Sequence, residues 1–143
     1  IGTVSRFGTV RVRNLMEIKR FSHVQHISSD VVGILDYQKT AFDALSAILP
    51  GGVVSGAPRL ETVKIIHANE QIPRGVYGGA LGHFGLNGNC TFTLPIRSLF
   101  VFKNQAYAQT SSGIVYDSDP QKEYQELIQK LAAMQSVLES LAR

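Results

Sequence analysis

The chain has 143 residues, 44% of them apolar and 17% charged, which suits one packed domain and excludes general disorder. Its net charge of +3 comes without a basic face interleaved with aromatics, and no apolar run approaches the ~20 residues of a membrane span, so neither nucleic acid nor membrane is an expected partner. The single cysteine, Cys90, excludes an internal disulfide framework and a Cys-based zinc cluster, and the expected setting is reduced and cytoplasmic.

The chain opens at Ile1 and passes at once into the polar, turn-like Gly2-Thr3-Val4-Ser5, which reads as the interior of a longer polypeptide. From Gly8 to Val12 valines alternate with polar residues, the period of a half-buried strand. Leu15–Phe21 and Gln25–Leu35 continue in the same style. Residues 39–49 then carry Phe42, Leu45, Ile48 and Leu49 at helical spacing, and Pro50-Gly51-Gly52 stops them. Val53–Ala57 reads as a loop. Pro58 suits the first position of a second helix, where its missing N–H costs nothing, and Val63, Ile66 and His67 would give that helix a buried face.

From Arg74 to Asp117 the pattern returns to strands. Asn87-Gly88 predicts a hairpin, Lys103-Asn104 a second tight turn, and Pro95 an edge or a bulge in its strand. The last element is the plainest. Ser118 or Asp119 caps it, Pro120 sits near its start, and Tyr124, Leu127, Ile128, Leu131, Met134, Leu138 and Leu141 form one apolar stripe. The order β–α–α–β–α predicts an α+β fold.

Few residues invite chemistry. Glu123 and Glu126, three apart at the edge of the stripe, suit a metal or acid–base work, or simply the favourable dipole of a helix start. His23 and His26 fall on opposite faces of a regular strand and cannot share a metal there; His26 reads either as a core histidine or as a functional one. Arg97, in an otherwise apolar segment, needs an anion, supplied by an internal ion pair or by a ligand. The glycines from Gly75 to Gly82 form neither a dinucleotide fingerprint nor a phosphate loop, and Ser55 stands in no nucleophile elbow.

Six segments in order carry a family resemblance: Ser22-His23-Val24-Gln25-His26, Val54-Ser55-Gly56-Ala57-Pro58, Arg74–Ala80, Ile96-Arg97-Ser98, Gly113–Ser118 and Glu123-Tyr124-Gln125-Glu126. Together they resemble the C-terminal part of the chorismate-utilising enzymes, over nearly the whole chain. The first two are worded most like the anthranilate synthase branch, with the aminodeoxychorismate synthase branch as the alternative. The resemblance implies a segment, residues 1–143, of an α/β/β/α sandwich of mainly antiparallel sheet with three helices. It implies a Mg²⁺-dependent lyase of tryptophan biosynthesis, using chorismate and ammonia from a glutamine amidotransferase subunit.

By the same resemblance, His26 would assist loss of the ring hydroxyl. Tyr77, Arg97 and the backbone of Gly113 would bind a carboxylate of chorismate, with Lys130 close by and Val53 in a substrate-facing position. Glu126 would hold Mg²⁺, with Glu123 in the same acidic helix start. The chain departs from the family pattern at Val53, where Thr is usual, and at Thr110-Ser111-Ser112-Gly113, where Ala-Gly-Ala-Gly is usual. A further metal-binding glutamate would lie in an upstream half of the enzyme. The isolated segment would then be inactive, with apolar sheet surface exposed, and a non-catalytic module that binds a partner chain is the contrasting reading.

Overall fold

Strand pairing between the first two apolar segments sets the start of the fold. The computed structural model describes residues 1–21 and 25–141; His23 lies outside them. The chain divides into two compact units, Ile1–Leu49 with His83–Thr91, and Pro50–Gly82 with Phe92–Arg143.

In the first unit, β1 (Arg11–Arg20) pairs antiparallel with β2 (Gln25–Val32). Val12 faces Val31 and Ile18 faces Ile27, but the register slips in between: Arg13–Glu17 lies against Asp30–Ser28. Asn14 and Met16 take positive φ in this bulge, and Ser29 Oγ accepts the Met16 N–H at 2.8 Å. The slip inserts an even number of residues, so both apolar pairs stay in register with the pleat. All four of these side chains are exposed, which matches the expected bare sheet surface. Val4 is the buried residue here, and its carbonyl accepts the Asp36 N–H at 2.9 Å. Helix α1 (Ala41–Ile48) starts with a reciprocal cap, Asp43 N–H to Thr40 Oγ1 and Thr40 N–H to the Asp43 carboxylate. That bonding holds the Asp43 carboxyl below its ordinary range, Thr40 being the main cause.

A hairpin joins β3 (Leu81–Phe84) to β4 (Cys90–Thr93) around Asn87-Gly88, with Gly85 N–H bonded to the Asn89 carbonyl at 2.7 Å. Gly88 takes the positive φ there.

The second unit holds α2 (Gly52–Ser55), α3 (Arg59–Asn69), the antiparallel pair β5 (Leu99–Phe102) and β6 (Gln105–Ala108), and α4 (Pro120–Leu141). Lys103 and Asn104 both take positive φ, the turn geometry that matches strand twist. Asp119 caps α4 by accepting the Lys122 N–H at 3.0 Å, and Met134, 6% exposed, is the deepest residue of its stripe. The core gathers around α2: Val54, Ser55, Tyr77, Gly78 and Pro95 are buried. A Cβ on Gly78 would stand 3.0 Å from Val54, so the close approach of these segments requires glycine.

The fold class is α+β, as expected, with four corrections of detail. Val53–Ala57 is not a plain loop, because Gly52–Ser55 closes one helical turn beside the three expected helices α1, α3 and α4. Pro58 is the N-cap of α3, one place before the expected position. His67 and Val63 are exposed; Thr62 and Ile66 are the half-buried residues of α3. Pro95 ends its strand outright, and Arg97 sits in the connection to β5 with φ +50.

Gly56 ends α2 at φ 80, ψ −173, a region open essentially to glycine, and a Cβ there would meet Thr62 at 3.3 Å. Gly56→Ala is expected to destabilise the protein by about 1–3 kcal/mol, read as a lowered denaturant midpoint.

Candidate functional site

A cavity of about 840 Å³ opens within the second unit, walled by α2 and its following turn, α3, the segment 110–114 and the first turns of α4. Val54, Ser55 and Arg74 line both this cavity and a smaller one of about 260 Å³, against which Tyr77 lies.

Arg74 braces the α2 wall. Its guanidinium grips Glu70 bidentately, through Nε at 2.7 Å and Nη2 at 2.5 Å, and its Nη1 donates to the Val54 carbonyl at 2.5 Å. A planar fork with three fixed donors suits this task where a lysine would not. The pair holds the Glu70 carboxyl below its ordinary range and raises Arg74 further, each through the other's hydrogen bond.

The segment 110–113 forms the opposite wall and is wired through side chains. Ser111 Oγ lies 2.7 Å from the Tyr77 hydroxyl, and its carbonyl accepts Lys130 Nζ at 3.1 Å. Lys130 also pairs with Glu126 one turn earlier on α4. Ser112 Oγ donates to Glu123 Oε2 and Ser118 Oγ to Glu123 Oε1. These bonds, Ser112 first and Ser118 second, hold the Glu123 carboxyl below its ordinary range, and the Lys130 charge adds to them. Among the described residues nothing accepts the Gly113 N–H, and a Cβ on Gly113 would meet nothing within 4 Å.

The structure thus brings Val53, Gly113 and Glu123 to one cavity, and ties Tyr77, Lys130 and Glu126 together through Ser111. Glu126 stands outside the cavity lining with half of its side chain exposed. Arg97 is exposed and has no ion-pair partner among the described residues, so an internal pair does not account for it. His26 lies in the first unit, exposed on β2 opposite Lys19, with its ring edge-on to Phe21 at 6.1 Å; it is not a core histidine. Sequence reasoning missed Arg74, Glu70 and Ser112. The Glu70–Arg74 spacing of four was visible, but it straddles the end of α3, where helical spacing no longer signals contact.

The family model described as chorismate binding enzyme matches residues 1–136. The chain belongs to that family. It is 51% identical over 141 residues to anthranilate synthase component 1 of Leptospira biflexa, covering 97% of this chain and 30% of the relative. It is 43% identical over 139 residues to aminodeoxychorismate synthase component 1 of Bacillus subtilis, covering 97% of this chain and 30% of the relative. Among solved structures, anthranilate synthase component I from Streptococcus pneumoniae TIGR4 superposes with a TM-score of 0.87 at 43% identity, over 91% of this chain and 30% of that one. The chain therefore spans about 30% of the length of these relatives. No described helix is long and apolar enough to cross a membrane.

The Glu70–Arg74 pair generates a pH dependence. A carboxyl held below its ordinary value of 4.5 contributes stability that is complete above that value and is lost as pH falls through the lowered one. Unfolding free energy measured from about pH 5 down to about pH 3 is expected to fall less steeply in Glu70→Gln than in the parent. Equal slopes would show that the pair contributes nothing.

Proposed function

We propose that this chain supplies one part of the substrate site of an anthranilate synthase component 1. That enzyme converts chorismate and ammonia, delivered by a glutamine amidotransferase partner, to anthranilate and pyruvate. The observation that carries the reading is the cavity whose walls gather Val53, Gly113 and Glu123, backed by the Tyr77–Ser111–Lys130 linkage. Membership of a chorismate binding family supports the substrate, and 51% identity to a named anthranilate synthase supports this product over aminodeoxychorismate.

Chorismate is a dianion, so its site must supply donors and positive charge. Arg97, with no ion-pair partner among the described residues, has its fork available for a carboxylate. The Gly113 N–H, without an acceptor among the described residues, is a second donor, and the bare Cα beside it leaves room for a ligand to approach the backbone. His26 would protonate the hydroxyl that leaves the ring as ammonia adds, and pyruvate elimination then makes the ring aromatic. Val53 offers apolar contact where a threonine would offer a hydroxyl.

The donor chemistry of α4 fits Mg²⁺. Two carboxylates one turn apart are hard oxygen ligands, and Mg²⁺ takes one or two such groups and keeps several waters. Glu126 would hold the ion in exchange for Lys130, with Glu123 fixed beside it by Ser112 and Ser118. When bound, Mg²⁺ would offset the charge of a substrate carboxylate. Activity is expected from a protein or complex that also supplies the portion of the relatives lying outside these 143 residues, and the isolated chain is expected to be inactive.

The deciding experiment is incubation of the full-length protein with chorismate, Mg²⁺ and ammonium, with products read by mass spectrometry. Anthranilate with pyruvate is the expected result; aminodeoxychorismate without pyruvate would assign the sister activity, and no turnover would reject the reading. Arg97→Ala is expected to raise the KM for chorismate about 10- to 100-fold, the loss of a charge-assisted hydrogen bond. Glu126→Gln is expected to shift the Mg²⁺ titration of activity to higher concentration. An unchanged titration would remove Glu126 from the ion's site.

A further inference from the structure

We infer that Ser111 extends the Tyr77 hydroxyl into the cavity and is itself the side chain that donates to a carboxylate of the bound ligand. The inference rests on the chorismate-site reading and assigns a specificity-determining residue that the family pattern does not contain.

Tyr77 is 7% exposed and does not line the larger cavity, whereas Ser111 does. The two oxygens are 2.7 Å apart, and either could donate. Proton accounting decides between the two orientations. A phenol so deeply buried has no other acceptor among the described residues, so a proton pointed away from Ser111 would be orphaned. With the phenol donating, the Ser111 oxygen is the acceptor and its own O–H remains available at the cavity wall. The phenol is also the more acidic hydroxyl and thus the better donor. An accepted hydrogen bond polarises the serine O–H, which strengthens its donation to an anion.

The backbone of Ser111 is held at the wall: Lys130 Nζ donates to its carbonyl at 3.1 Å. The Gly113 N–H, two residues on, is a further donor with no internal acceptor among the described residues. A serine O–H and a nearby backbone N–H on one wall suit the two oxygens of a carboxylate. A glycine at 111 would instead leave Tyr77 to meet the ligand directly.

The test uses the full-length protein with four variants: Ser111→Ala, Ser111→Thr, Tyr77→Phe, and the double variant Ser111→Ala with Tyr77→Phe. The Kd for chorismate is read by calorimetry, and KM from turnover. Ser111→Ala is expected to weaken binding about 10-fold, with Kd and KM moving together. Ser111→Thr, which keeps the hydroxyl, is expected to restore it. Tyr77→Phe is expected to weaken binding less, and the double variant to be no weaker than Ser111→Ala, since the two groups act as one chain. Unchanged binding in Ser111→Ala, or losses that multiply in the double variant, would overturn the inference. Chorismate binding without anthranilate formation would overturn the proposed reaction while the Kd ratios still judge Ser111; absence of binding would overturn both.

Discussion

One short segment, residues 110–113, is secured by side chains on both sides, and the candidate site depends on how it is held. It follows β6 but lies outside any strand, so no ladder of backbone bonds fixes it. Its restraints are the Tyr77 hydroxyl, the Lys130 ammonium and the Glu123 carboxylate. Two of these come from α4, whose register is set by the Asp119 cap and the Met134 anchor. The capping of a helix and the placement of a cavity wall are thus one construction. Among the described residues the backbone N–H of Gly113 has no partner, which would be costly in a closed interior but is tolerated on an open cavity wall.

The facing wall is stiffened by different means. One turn of helix, α2, carries its own carbonyl at Val54 out to Arg74, and Arg74 is locked by Glu70. Gly78 lets its segment come against the Val54 side chain, and a Cβ on Gly51 would stand 2.8 Å from Leu94. Glycine backbone packed directly against these side chains leaves α2 little freedom to repack. Both walls are thus held by side-chain bonds, Arg74 with Glu70 on one and Tyr77, Lys130 and Glu123 on the other.

Much of this was legible in the sequence, and the parts that were not share a cause. The α4 stripe, its cap, and the hairpins at Asn87-Gly88 and Lys103-Asn104 follow from local rules of periodicity and turn chemistry, which survive any tertiary context. The resemblance carried by the six segments pointed to the family and to Val53, Gly113 and Glu123, which the structure gathers at one cavity. What local rules could not give was the partner of each polar group. Ser112 with Glu123 is a contact across 11 residues, and Arg74 with Val54 one across 20. The burial assigned to His67 failed for a related reason. A helical period names a stripe, but the neighbouring segments decide which stripe is covered, and they cover Thr62 and Ile66.

The serines at 111 and 112 join these arguments. Read against a pattern of small residues, they look like intrusions into a wall where a ligand must come close. In three dimensions each serine oxygen has a neighbour along the wall: Ser111 Oγ bonds the buried Tyr77 phenol, and Ser112 Oγ donates to the Glu123 carboxylate. A side chain that is hydrogen-bonded along the wall does not obstruct the cavity in front of it. The same substitutions that weaken a resemblance on paper therefore add restraints to the segment that most needs them, and they do so without drawing on the backbone donor at Gly113.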